Sequence, residues 1–503
     1  MLENLKSNLQ RKRLLNSLSI LLISIFVGFA IWSSLTVRPE SDEGSFASPS
    51  LNLAQNGHFG TTVFEMEDSK LTRIDQRTYW VMPLFLINAA AVFKLFGFSL
   101  FAMRFISIFW GIILLISWYF IILKFSASRG CALICMTLMA ASYVILSTAT
   151  LGRGDTMCAA LGFAAFSVYL WKREQNLSVA IFISQTLVVA AGMTHYLGIL
   201  PFLGLLFITI YYDYRSIKLK HIAIALSPYL FAGSLFLLWI LQDPNAFKDQ
   251  FIGNATASGR MQGFTSPLSI ITNEFTIRYP RAFGLLGSTE GHSGPIYLKS
   301  LMLVGFIIGL FGVIFTTQLR KKYGVLLGLF LIYFFALAII DGQKLSVYLI
   351  YVIPYYLAFF GIWVFKLWED KFIPRPLLAF GFIGYLMLGI GGIGLRCIQN
   401  TYGNFYFPTI EYVNTNAVKN DLIMGGPETR FALKTEATHI ADGNFGLHTS
   451  KRPRFIIYDP GTLDSWKDSE IFNPEFYQHL PKMLDNEYKI VYENKAFQVY
   501  EKK

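Results

Sequence analysis

Two acidic residues stand where apolar runs end. Asp42 and Glu43 lie in Pro39-Glu40-Ser41-Asp42-Glu43-Gly44-Ser45-Phe46, a few residues after a long apolar run. Asp155 lies in Leu151-Gly152-Arg153-Gly154-Asp155-Thr156, a connector of almost no length between two further runs. Charge this near hydrocarbon is costly unless it faces water or does work. A carboxylate beside an acceptor hydroxyl or amine serves as a general base. For Asp42-Glu43 the plain alternative is a solvated loop. For Asp155 it is a helix cap, because an aspartate at that position accepts backbone N–H bonds. Arg153 has two readings, pairing with Asp155 or meeting an anionic ligand.

Cations accompany the carboxylates. Lys344 lies in Asp341-Gly342-Gln343-Lys344, followed by Tyr348, Tyr351 and Pro354. His195 precedes Tyr196 between two apolar runs, where a lone histidine is more often structural than catalytic. Residues 242–298 hold Arg260, Arg278 and Arg281, the last two in Arg278-Tyr279-Pro280-Arg281. Arginines grip phosphate through paired hydrogen bonds, and anionic lipid headgroups satisfy them equally well. Together the groups describe displacement of a phosphate leaving group by a hydroxyl or amine. Cations neutralise the departing phosphate, and one-step attack at an anomeric carbon inverts it.

The elements that position these residues follow from hydropathy. The 503 residues are 54% hydrophobic and 15% charged, with the apolar residues gathered in long runs. That pattern marks a polytopic α-helical membrane protein. The net charge of +11 does not point to nucleic acid, because the basic residues sit in short clusters between runs, where they orient spans. Four cysteines give neither a disulfide framework nor a metal site. No cleavable signal is evident, since the run after Arg11-Lys12-Arg13 is long enough to remain as a span.

Twelve apolar runs are visible, near 14–35, 80–97, 101–123, 130–149, 156–171, 177–194, 196–212, 221–241, 299–318, 323–340, 345–365 and 376–396. If all but 80–97 cross, the basic clusters around Arg13, Arg129, Lys172, Lys218, Lys321 and Lys371 share the side of the N-terminus. The short connectors opposite then hold only Arg153 and Lys344. The positive-inside rule therefore predicts eleven spans, a cytoplasmic N-terminus, and 80–97 as an interfacial helix on the outer face, opened by Pro83 and closed by Gly97. Outer segments 36–100 and 242–298 belong to a membrane domain, 1–396. Residues 397–503 read as a small outer α/β domain, with strands near Asp421–Met424, Arg454–Tyr458, Tyr488–Tyr492 and Ala496–Tyr500 and a hairpin turn at Glu493-Asn494-Lys495.

The order of short motifs resembles the GT-C superfamily of polyprenyl-phosphate-sugar glycosyltransferases, in its bacterial protein O-mannosyltransferase and aminoarabinose transferase branch. Asp42-Glu43-Gly44-Ser45-Phe46 and Ala54-Gln55-Asn56-Gly57-His58 carry the resemblance first. Pro83-Leu84-Phe85-Leu86 and Leu95-Phe96-Gly97-Phe98-Ser99, closing on Arg104, continue it. Arg153-Gly154-Asp155-Thr156-Met157 and Lys344 with Tyr348, Tyr351 and Pro354 complete it. The resemblance implies an inverting transferase of the bacterial plasma membrane. Its donor is a polyprenyl-phosphate-linked sugar, and its acceptor a lipid, polysaccharide or protein outside the cytoplasm. Asp42 and Asp155 are implied as catalytic, and Lys344 with Arg278 or Arg281 as the phosphate-facing, substrate-binding cations; Glu43, Arg153, His195 and Tyr348 join them as substrate-binding from their own placement beside these residues. No cofactor is implied, with a divalent metal as the lesser alternative. Aminoarabinose transferases carry Glu-Lys-Pro where Val81-Met82-Pro83 stands here, and the Trp-Trp-Asp signature of oligosaccharyltransferases is absent. A flippase or transporter of lipid-linked sugar is the competing expectation, and would need charge in mid-span. A binding or assembly protein acting through its tail is a third.

Overall fold

A computed structural model describes residues 2–65, 71–257, 259–286, 297–461 and 474–503. The remaining parts of segments 36–100 and 242–298 and of the tail lie outside the described residues. Helices stand at all eleven predicted span positions. Seven are long and apolar enough to cross a membrane, and an eighth is the pair Arg129–Ala140 and Tyr143–Ala149, bent by 64°. The other three, Gly154–Lys172, Gly324–Ile340 and Ile353–Asp370, are shorter or end in charge, and they are buried along much of their length. A helix surrounded by other helices need not be uniformly apolar to the lipid.

Segment 80–97 forms the helix Pro83–Phe96, with proline in its first turn and Gly97 in a positive-φ conformation at its end. One side packs into the bundle through Phe85, Leu86, Ala89 and Phe93, while Ile87, Leu95 and Phe96 are exposed. Such a face suits the membrane interface. Segment 36–100 also holds the helix Ser41–Asn56, which ends at left-handed Gly57.

After the last span the chain builds a five-stranded sheet, ordered β2-β1-β3-β5-β4. The strands are β1 Leu422–Met424, β2 Thr438–Ile440, β3 Phe455–Tyr458, β4 Tyr488–Glu493 and β5 Gln498–Lys502. β1 runs parallel to β2 and β3, and β5 is antiparallel to β3 and β4. Strand alternation sends Phe455 and Ile457 to a core with Tyr406, Ile410 and Val413, and Ile456 to a core with Phe476, Leu480 and Met483. The four predicted strands and the β4–β5 hairpin are present, and β2 is additional. The 36–100 segment joins the sheet beside β2: Ala441 N donates to Val63 O (2.7 Å) and Glu65 N to Ala441 O (3.0 Å).

Candidate functional site

Asp42 occupies the first turn of Ser41–Asn56, and its side chain is 48% exposed. Arg153 Nη1 pairs with Asp42, and Arg153 Nε donates to Asp155 Oδ2 at 2.8 Å. Asp155 is 1% exposed and lies in the first turn of Gly154–Lys172, past the cap position, with its carboxylate paired to Arg153. One guanidinium thus bridges the two carboxylates singled out from the sequence.

His195 extends the chain of charges. Its Nε2 stands 3.7 Å from Asp155 Oδ1, a buried oxygen with no hydrogen-bond partner among the described residues. Its Nδ1 accepts from Leu197 N at 3.2 Å, so the neutral ring carries its proton on Nε2, facing Asp155. Burial lowers the imidazole to about 4 even though Asp155 opposes that shift. The ring is therefore neutral at physiological pH. Tyr348 lies beside it, with ring centroids 5.3 Å apart.

A second cluster forms where residues 242–298 meet the Asp341–Lys344 connector. Lys344 Nζ donates to Glu274 Oε1 (2.6 Å) and Ala338 O (2.7 Å), and Arg278 Nη1 stands 3.3 Å from Glu274 Oε2. Arg278 Nη2 pairs with Asp341, whose carboxylate also accepts from Gln343 N and Leu345 N. All four charged side chains are at most 2% exposed, and two cations balance two carboxylates. Lys344 and Arg278 are thus brought together, each already neutralised by the protein. Arg281 is half-buried in the short helix Tyr279–Ala282 and joins neither cluster.

Arg260 stands between the clusters. Its Nε donates to Gln343 Oε1 (3.2 Å), its guanidinium lies 5.6 Å from the Tyr196 ring centre, and its carbonyl accepts from Gly342 N (3.2 Å). It is half-buried, with no carboxylate in ion-pair contact among the described residues. The sequence offered Arg260 beside two other arginines and gave no reason to prefer it. Glu274 went unrecognised, although it lies four residues before Arg278, the spacing of a helical ion pair.

Glu43 points away from Asp42 into the protein. Its carboxylate receives Arg104 Nε (2.8 Å), Arg104 Nη2 (2.7 Å), Gly152 N (2.7 Å) and Glu40 N (2.9 Å), and it is fully buried. No three His, Cys, Asp or Glu side chains among the described residues converge to hold an ion, and between Asp42 and Asp155 the space is taken by Arg153.

No protein-family model matches the sequence, and no curated protein matches it. Solved structures do. A crystal structure of ArnT from Cupriavidus metallidurans bound to undecaprenyl phosphate aligns with a TM-score of 0.60 over 96% of this chain and 97% of that one, at 13% identity. The chain shares the fold of that structure. A second structure with this architecture is the archaeal oligosaccharyltransferase AglB from Archaeoglobus fulgidus, in complex with an inhibitory peptide and a dolichol-phosphate. Its TM-score is 0.54 at 12% identity, over 98% of this chain and 74% of that chain. Asp155 stands at one end of helix Gly154–Lys172 with Asp42 and His195 nearby, and a separate pair, Arg173 with Asp213, stands at the other end.

Proposed function

We propose that the chain is an inverting membrane glycosyltransferase that moves a sugar from a polyprenyl-phosphate donor to an acceptor outside the cytoplasm. One observation carries this reading. Asp42 is a half-exposed carboxylate, held by Arg153, at the polar end of a bundle that shares the fold of ArnT along nearly the whole of both chains. The donor class is supported by the lipid phosphates bound to the ArnT and AglB structures.

In the proposed step Asp42 takes the proton of the acceptor O–H or N–H. The acceptor atom bonds to the anomeric carbon on the face opposite the phosphate. The carbon–oxygen bond to phosphate breaks, and the polyprenyl phosphate leaves with the electron pair. Arg260 neutralises that phosphate. Arg153 and Asp155 orient Asp42, and neutral His195 donates from Nε2 toward the sugar or Asp155. The acceptor is a lipid, polysaccharide or protein. The cytoplasmic N-terminus belongs to the same reading and rests on the distribution of basic connectors; the division at about residue 396 rests on the end of the last apolar run, and the bacterial plasma membrane on the resemblance. From Leu14 onward the charged residues of the described spanning helices lie within two turns of a helix end, whereas transport through the bundle calls for charge in mid-span.

The test is transfer of labelled sugar from polyprenyl-phosphate donor by the full chain in proteoliposomes. Asp42→Asn should lower the rate by at least about 10²-fold, the size of a general-base contribution, with melting unchanged because the side chain is exposed. Wild-type turnover in that variant would sink the assignment.

A further inference from the structure

Residues 261–277 invert the polarity expected of a loop in water. Their outer surface includes Met261 at 46%, Phe264 at 63%, Leu268 at 82% and Phe275 at 62% exposure. The other exposed positions in the segment are Gln262, Thr265, Ser266, Pro267, Ser269, Thr272 and Thr276, so no charge is exposed across it. The single charged residue, Glu274, faces inward to Lys344 and Arg278. A water-facing segment of this kind hides its apolar side chains and shows its charge. Here the charge is hidden and the phenylalanines are shown, as in a protein surface solvated by hydrocarbon.

The segment's packing points to the same solvent. Gly263 lies against the carbonyl of Ile339, so closely that a β-carbon at 263 would overlap it. Phe275 sits 5.7 Å from Phe334. Both contacts are with the apolar helix Gly324–Ile340, whose Leu331 and Phe335 are 51% and 45% exposed. Phe264, Leu268 and Phe275 therefore continue the outward apolar surface of the span bundle. The backbone runs as short helical pieces, Gln262–Thr265, Pro267–Asn273 and the π-turn Glu274–Arg278, which satisfy much of their own hydrogen bonding. Irregular backbone is tolerated at membrane depth when it is bonded and backed by protein in this way.

We propose that residues 261–277 are embedded in the bilayer leaflet on the Asp42 side, with lipid acyl chains covering Phe264, Leu268 and Phe275. This surface stands independently of the sugar chemistry. Its consequence for the site is positional: Arg260, immediately before the embedded segment, lies where a lipid phosphate arrives without leaving its leaflet.

Nitroxide labels on the full chain in phospholipid nanodiscs test this. The four native cysteines are buried, so labelling goes to Phe264→Cys, Leu268→Cys or Thr272→Cys, each made separately. Phe335→Cys on the bundle and Lys434→Cys in the exposed C-terminal part are references. Collision with oxygen should exceed collision with a water-soluble nickel chelate at 264 and 268, as at 335, and the reverse should hold at 434. Greater access of the nickel chelate at 264 and 268 overturns the proposal. So does exclusion of both reagents, which would mean that protein, such as a second copy of the chain, covers the face. Melting identical to wild type selects the variants that count, and three separate positions keep one misfolded variant from deciding the result.

Discussion

Glu43 and Arg104 form a two-point ion pair, 0% and 1% exposed, directly behind Asp42. Arg104 also donates to Ser34 O (3.0 Å), Val37 O (2.7 Å) and Arg38 O (3.0 Å), while Glu43 accepts from Gly152 N. The pair thus ties the end of the first span to the helix carrying Asp42 and to the connector carrying Arg153 and Asp155. Adjacent acids in sequence have opposite roles because successive helical positions differ by about 100°. One is presented to solvent, and the other is buried.

From this pair follows a stability prediction. Glu43→Gln leaves the Arg104 charge buried with no counterion. Breaking a buried pair from one side costs about 3–5 kcal/mol, so thermal unfolding in detergent should begin several degrees earlier. Asp42→Asn, one residue away, should melt as wild type does. Equal melting of Glu43→Gln and wild type would show that the pair contributes no net stability.

How far the sequence reaches is clear from particular residues. The eleven span positions were legible because hydrophobic runs locate twelve candidates and the basic connectors set 80–97 aside, and the later strands were legible from alternation. Helix Ser41–Asn56 shows in the sequence only at its Gly57 end, because Gly44, Pro49 and four serines are poor helix formers. It persists through tertiary packing, since Gly44 lies directly against Pro427 and Glu428 with no room for a β-carbon. Strand β2 is three residues long and leaves little pattern to read. Asp42, Arg153, Asp155 and His195 could be grouped because short connectors place them at one end. The partner of Glu43 lies 61 residues away, beyond any local signal. Lys344 stands out in the sequence as one of two basic residues in the short connectors opposite the basic clusters. Its partner is Glu274, in a segment without a recognisable motif.

Arg260 and Lys344 should separate in function. Lys344 is 1% exposed and committed to Glu274 and the end of a helix. Arg260 is half-buried and carries the unneutralised charge between the two clusters. Arg260→Ala should melt normally and lower kcat/KM for the lipid donor by about 10²-fold, the scale on which one charged hydrogen-bond donor stabilises a developing anion. Lys344→Met should instead lower the melting temperature, because Glu274 loses its shortest contact. Normal melting with lost donor binding in Lys344→Met would move the phosphate to Lys344. Donor titrations and thermal unfolding on the same preparations distinguish these results.

The C-terminal part rests on the helix of Asp42 through the turn Pro427–Phe431, and that seam should respond to pH. Phe431 stacks on Phe98 (5.3 Å), Tyr406 donates its hydroxyl proton to Glu428 O (2.6 Å), and Arg38 pairs with Asp459 (2.9 Å). Burial pushes the Glu428 carboxyl up to about 7, with Asp459 and Glu43 adding to the shift and Arg38 opposing it. Undocked, the same group titrates near 4.5. The docked form therefore holds its proton over a range in which the undocked form has lost it. Docking is strongest below about pH 4.5, weakens as pH rises toward 7, and is nearly constant above that. Limited proteolysis or hydrogen exchange of residues 427–431 and 41–56 in the full chain, followed from pH 5 to 8, should show increasing exposure with pH. Glu428→Gln carries no such proton. It should give a flatter profile and stronger protection at pH 8, because it occupies the seam without a charge to bury. Parallel profiles for the two chains would mean that Arg38 already balances the carboxylate, and the seam would then owe its stability to Gly44, Phe98 and Phe431 alone.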